Sequence, residues 1–175
     1  IPLVIQLFIG MLRVIKDLTS AFLSNTLSER HNQLLVGQQG VANPTLVYVE
    51  ETLKISYKNL DKNTSRIFRK LTIFPGTFDA KAEEFICQDK SNECLAKLVK
   101  LNLAFFNERS KRYRIHPMIS KFADRFITKA EQEISRKRHA TYYLTALVEA
   151  NERMKNETSK DLQYAIALFN SELEN

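Results

Sequence analysis

The chain has 175 residues, 44% of them hydrophobic and 26% charged, with a formal charge of +6 and a pI near 9.3. That hydrophobic share is enough for one or two cores hiding about 70% of the unfolded surface, which excludes a chain disordered throughout. The basic balance admits an anionic partner, but none of the 4 glycines opens a Gly-x-x-x-x-Gly-Lys-Ser/Thr loop, so this stretch is not expected to be an enzyme by itself.

Pro2 suits the first turn of a helix, and Ile5, Phe8 or Ile9, and Leu12 follow at helical spacing. The apolar opening contains Gln6 and is followed by Arg13 and Lys16, so it is too short to cross a bilayer. It also lacks the basic leader and small-residue cleavage site of a signal peptide. A chain that starts without methionine inside a helical pattern and stops at Leu173-Glu174-Asn175 is expected to be a piece of a longer cytosolic protein. Val14, Leu18 and Phe22 continue a second stripe, and the loop-rich segment 26–44 puts a boundary near residue 42.

Leu46, Val49, Leu53 and Leu60 then line one face of a helix with Tyr57 beside them. After a turn at Asp61-Lys62-Asn63, a second helix should hold Ile67, Phe68 and Leu71 inward and Arg66, Arg69 and Lys70 outward. Phe74-Pro75-Gly76-Thr77 is a turn signal, Asp79 can cap a short helix ending near Cys87, and Ser91 can cap another that buries Leu95, Leu98, Val99 and Leu101. Cys87 and Cys94, with no histidine nearby, read as buried free thiols of a reducing compartment. Leu103 to Phe106 and Arg112 to Ile115 form two strands around a polar turn, so the order describes a winged-helix unit with a basic wing.

The strand runs straight into Pro117, which fits a first helical position and so puts His116 at the N-cap. An imidazole there can share an anion, most naturally a phosphate, with the helix N-terminus, though a lone histidine also serves simply as a cap or as packing. The new helix should bury Ile119, Phe122, Ala123 and Phe126. Thr128-Lys129-Ala130-Glu131 is a capping box opening a helix that runs through Ile134, Tyr142, Leu144 and Val148 to about Met154. Thr158-Ser159-Lys160-Asp161 opens the last, with Leu162, Ala165, Ile166 and Phe169 as its stripe. Arg136, Lys137 and Arg138 read as a solvated face, Tyr142, Tyr143 and Tyr164 as inter-helix contacts, and His31 and His139 receive no role.

Four segments, Ile1-Pro2-Leu3-Val4-Ile5, Glu51 to Leu60, Ile73-Phe74-Pro75-Gly76-Thr77-Phe78 and Tyr113-Arg114-Ile115-His116-Pro117-Met118-Ile119, come in an order that resembles the C-terminal half of an NB-ARC module. These are the STAND nucleotide-dependent signalling switches, and the bacterial variants with downstream helical repeats are the most similar. The resemblance implies a mainly α fold: a partial helical subdomain over 1–41, a winged helix with one β-hairpin over 42–128 and a helical hairpin of TPR-like or superhelical type over 129–175. It further implies ADP or ATP, with Mg in the parent, held mostly by an upstream P-loop domain outside this chain. Pro2 would match the proline of the Gly-x-Pro motif bordering the adenine, and His116 the histidine of the Met-His-Asp-like motif that contacts the β-phosphate of ADP. Ile115 and Pro117 flank that histidine here, so the motif's aspartate is missing. Implied partners are the P-loop domain, downstream helical repeats and a homo-oligomer on activation, with no membrane.

Two alternatives belong to other classes. A winged helix can bind DNA, in which case Arg109, Lys111, Arg112 and Arg114 of the wing and Lys97 and Lys100 of the recognition helix would meet phosphates. Glu93 and Asp89 oppose that reading by the sign of their charge. Alternatively, the chain is a protein-interaction scaffold without a nucleotide contact of its own.

Overall fold

A computed structural model describes residues 2–14, 25, 28, 44–155 and 159–172. Its helices are α1 (Leu3–Val14), α2 (Pro44–Lys58), α3 (Lys62–Lys70), α4 (Ala80–Cys87), α5 (Glu93–Lys100), α6 (Pro117–Asp124), α7 (Lys129–Lys155) and α8 (Ser159–Glu172). Between α5 and α6 stand β1 (Phe105–Asn107) and β2 (Arg112–Arg114), which pair antiparallel with Phe105 opposite Arg114. The fold among the described residues is therefore mainly helical with one small two-stranded sheet. The boundary near residue 42, the stripe beyond Lys16 and His31 lie outside the described residues.

One buried cluster joins the elements, from Leu7 of α1 through Leu53, Phe68, Ile86, Leu98 and Ile119 to Tyr143 of α7. Local cap chemistry sets several helix starts. Asp61 accepts the Thr64 amide at 2.8 Å to open α3, and Asp79 accepts that of Ala82 at 2.7 Å to open α4. The Thr128 hydroxyl accepts the Glu131 amide at 3.2 Å while Glu131 accepts the Thr128 amide at 3.0 Å, the reciprocal capping box expected for α7. Cys87 and Cys94 are both free and buried, as read from the sequence.

Several expectations are corrected. Among the described side chains of α1, Leu7 and Met11 are buried and Phe8 is half-buried, whereas Ile5, Ile9 and Leu12 are exposed. That helix is apolar nearly all round, so its period does not choose a face. Lys70 is only 5% exposed because its Nζ donates to the Cys87 carbonyl at the end of α4, 3.2 Å away. Ser91 does not cap α5: Asn92 is the N-cap in a left-handed conformation, and the buried carboxylate of Asp89 accepts the Leu95 amide at 3.1 Å. The first strand is shorter than expected because the amides of Leu103 and Ala104 bond to the Leu98 carbonyl and close α5. Phe126 falls beyond α6, partly exposed and stacked on Tyr57 with ring centroids 4.6 Å apart. Finally, Leu144 of α7 and Leu162, Ile166 and Phe169 of α8 are exposed, while Ala150 and Ala165 are buried.

Candidate functional site

The strand-to-helix junction at His116 is built as the residue pattern predicts. Extended backbone at His116 (φ −65°, ψ 137°) leads into Pro117 in the first turn of α6. The imidazole Nδ1 accepts the Met118 amide at 3.2 Å, and the His116 carbonyl accepts the Ser120 amide at 2.9 Å. With Nδ1 accepting the Met118 amide, Nε2 is the ring nitrogen left to donate. The ring is half-buried rather than sealed in the core. It occupies one helix-end amide itself, so an anion there would meet the ring edge rather than a bare set of amides.

Pro2 is exposed at the start of α1, where its carbonyl accepts the Gln6 amide at 3.2 Å. The hydrogen bonds found for Pro2 and for His116 among the described residues stay within their own helices.

The six cations named for a nucleic-acid face have different fates. Lys97 reaches Asp61 at 2.6 Å, and this bond, followed by those from Thr64, holds the Asp61 carboxyl well below the usual carboxylate range. Arg112, with its side chain 12% exposed, donates to the Thr77 hydroxyl at 2.8 Å, to the Thr77 carbonyl at 2.6 Å and to both carboxylate oxygens of Glu172. Lys111 pairs with Glu108 at 3.0 Å and lies over Phe106, and Arg114 lies over Phe105. Arg109 and Lys100 are exposed. A hairpin with Arg112 folded inward and a helix with Lys97 paired present fewer cations than the sequence suggested. Asp89 is buried, so it does not oppose an anion as expected.

Glu83 and Phe85 escape sequence reasoning, and Tyr143, read from the sequence as an inter-helix contact, has a further role. Glu83 is buried on α4 with one oxygen accepting from Asn92 Nδ2 at 2.7 Å. Tyr143 packs under the Arg112–Glu172 pair, its phenol pushed far up by burial and then by Glu172. Phe85, the aromatic residue on the outer face of α4, lies against Tyr142 of α7 at 5.6 Å. Glu83 and Phe85 left no distinct sequence signal, since Phe85 stands three residues after Ala82 and next to Ile86, at a spacing that suits the core stripe.

Among the described residues no group of three or more His, Cys, Asp or Glu is placed to hold a metal, and no helix is long and apolar enough to cross a membrane. The chain matches no protein-family model, no curated protein and no solved structure.

Proposed function

We propose that the chain is a regulatory part of an NB-ARC-type (STAND) nucleotide-dependent switch, in which residues 42–128 act as a winged helix and His116 donates to a phosphate of ADP. Support comes first from topology. Phe78, between α3 and α4, exchanges two backbone hydrogen bonds with Tyr113 of the hairpin, at 2.9 and 2.7 Å. Three helices, a strand bridge between the first two, and a terminal hairpin come in the order that the winged-helix reading requires, and so support it. The observation that carries the phosphate assignment is the His116 ring itself, anchored through Nδ1 so that its donor edge is fixed at the start of α6.

A hydrogen bond to a charged group contributes about 1.5–3 kcal/mol, and a coupling of about 1–3 kcal/mol biases a two-state switch. On this reading ADP bridges an upstream P-loop domain and the winged helix, and exchange for ATP with Mg releases the latter. The P-loop domain would supply most of the nucleotide site, with Pro2 bordering the base.

The test uses two substitutions in the protein carrying the P-loop domain. Asparagine is a good N-cap, so His116→Asn keeps the helix start while removing the imidazole donor; His116→Leu removes both. The expected result is an ADP affinity about tenfold weaker in both variants, with melting temperature lowered only by His116→Leu. An unchanged ADP affinity in His116→Asn overturns the assignment.

A second reading is favoured by the outer face of the α7–α8 pair. Leu144, Leu147, Val148, Ile166 and Phe169 are all at least half exposed, beside a groove of about 630 Å³ between the two helices. Stacked helical repeats bury such faces against a neighbouring repeat, so this face is proposed to carry a further helical layer of the same protein.

A further inference from the structure

Away from His116, the outer side of α4 and the first half of α7 enclose a hollow of about 460 Å³. Its floor is the tilted pair Phe85 and Tyr142, of which Phe85 is 48% exposed. Three cations line it, Lys81 from α4, Lys90 from the turn that follows and Arg138 from α7, against one carboxylate, Glu84. The left-handed backbone of Gln88 (φ 64°) ends α4 and brings Lys90 round to the same rim. One guanidinium nitrogen of Arg138 is enclosed and meets no acceptor among the described residues. Burial and then neighbouring charges, Arg66 before Arg138, hold Lys70, bonded to the Cys87 carbonyl at the end of α4, below its ordinary value. Positive charge is therefore in excess on this side of the fold, and one cation lacks the hydrogen-bond partner that enclosed cations normally have.

Exposed aromatic surface and uncompensated cations ask for different halves of a ligand. A bare phosphate needs the cations but not the rings, and an apolar compound needs the rings but not the cations. A ligand with a planar base and an attached phosphate satisfies both, by stacking on Phe85 and ion pairing at the rim. The volume falls within the range of small-ligand sites. Lysines spread along an open rim suit a flexible phosphodiester better than a phosphotyrosine, which is recognised by bidentate arginine clusters. We infer that the hollow between α4 and α7 binds a nucleotide unit, with its base on Phe85 and Tyr142 and its phosphate on Lys81, Lys90 and Arg138. This site is separate from the His116 assignment and does not rest on it.

The source of the unit, free nucleotide or single strand, is resolved with two probes on the whole 175-residue chain. They are 2-aminopurine riboside monophosphate and an oligothymidylate carrying one 2-aminopurine, and stacking on a ring quenches the fluorescence of either. Quenching of the monophosphate identifies a free nucleotide, and quenching of the oligonucleotide alone identifies a strand; either supports the site. Phe85→Ala is expected to abolish quenching and weaken binding about tenfold, with unchanged circular dichroism because the side chain is half exposed. Lys81→Ala with Lys90→Ala should keep the quenching and flatten the dependence of log affinity on log salt by about 1.4. Absence of quenching with both probes, quenching that survives Phe85→Ala, or displacement of the probe by a phosphotyrosine peptide overturns the inference.

Discussion

Glu83 is buried at the join of α4 and α5, where Asn92 Nδ2 bonds to one of its oxygens at 2.7 Å and to the Ala80 carbonyl at 3.1 Å. Burial pushes its carboxyl up to about 8 against the lowering by Asn92, and nearby Asp89 and Glu84 add repulsion. The folded state thus holds this proton more tightly than the unfolded chain, whose ordinary value is 4.5. Its contribution to stability is complete below about pH 4.5 and is lost progressively as the pH rises to about 8. Glutamine has the same shape and no proton to lose. Wild type is therefore expected to lose, between pH 5 and pH 8, on the order of 1–3 kcal/mol of unfolding free energy that Glu83→Gln keeps. Urea midpoints of the two proteins at several pH values measure this. Parallel pH profiles would show that Glu83 titrates normally.

At the scale of elements, helix ends were legible in the sequence and helix faces often were not. Asp61, Asp79, Pro117 and the Thr128–Glu131 box act within one turn, so a short window of sequence contains the whole cause. Glu131 also holds Arg69 at 2.7 Å, tying α7 to α3, and that second role was invisible because its partner lies 62 residues away. The same limit hid the buried Lys70 and the replacement of Ser91 by Asp89 as the acceptor for α5. In α1 the failure had another cause, since Leu3, Ile5, Leu7, Ile9 and Met11 leave no polar face to orient the helix. What orients it is Gly10, whose missing side chain lets α1 lie directly on the backbone carbonyl of Leu101, where a Cβ would overlap it. Asn102 then donates to the Gln6 carbonyl at 2.5 Å across the same contact. Helix propensity alone predicts that Gly10→Ala stabilises by about 1 kcal/mol. Overlap with backbone, which cannot rotate away, predicts the reverse, a loss of about 1–3 kcal/mol. Thermal unfolding of the variant decides between them, and a raised melting temperature would mean that α1 is not seated on α5.

Across the whole molecule, the terminal helices are fastened to the hairpin by one partly buried pair. Arg112 of β2 and Glu172 at the end of α8 are 12% and 13% exposed, and the guanidinium is held at the same time by both oxygens of Thr77. From the sequence, Arg112 reads as one more wing cation, because nothing local marks an arginine that turns inward towards a carboxylate 60 residues later. The pair has a mechanical consequence: the hairpin that leads into His116 and the α7–α8 unit move together while it holds. If residues 42–128 swing on nucleotide exchange, as proposed above, the helical unit is carried with them rather than left on a loose tether. Breaking one side of such a pair leaves the other charge buried and unpaired, whereas replacing both with apolar residues removes the burden as well as the bond. Glu172→Gln is therefore expected to speed amide hydrogen exchange throughout α8, and tryptic cleavage at Lys155 and Lys160, by about tenfold, with α3 to α5 unchanged. The double variant Arg112→Leu with Glu172→Leu should recover most of that protection. Equal exchange in wild type and Glu172→Gln would mean that apolar packing of Tyr143, Ala150 and Ala165 alone holds α8 in place, and that the helical unit is free to move on its own.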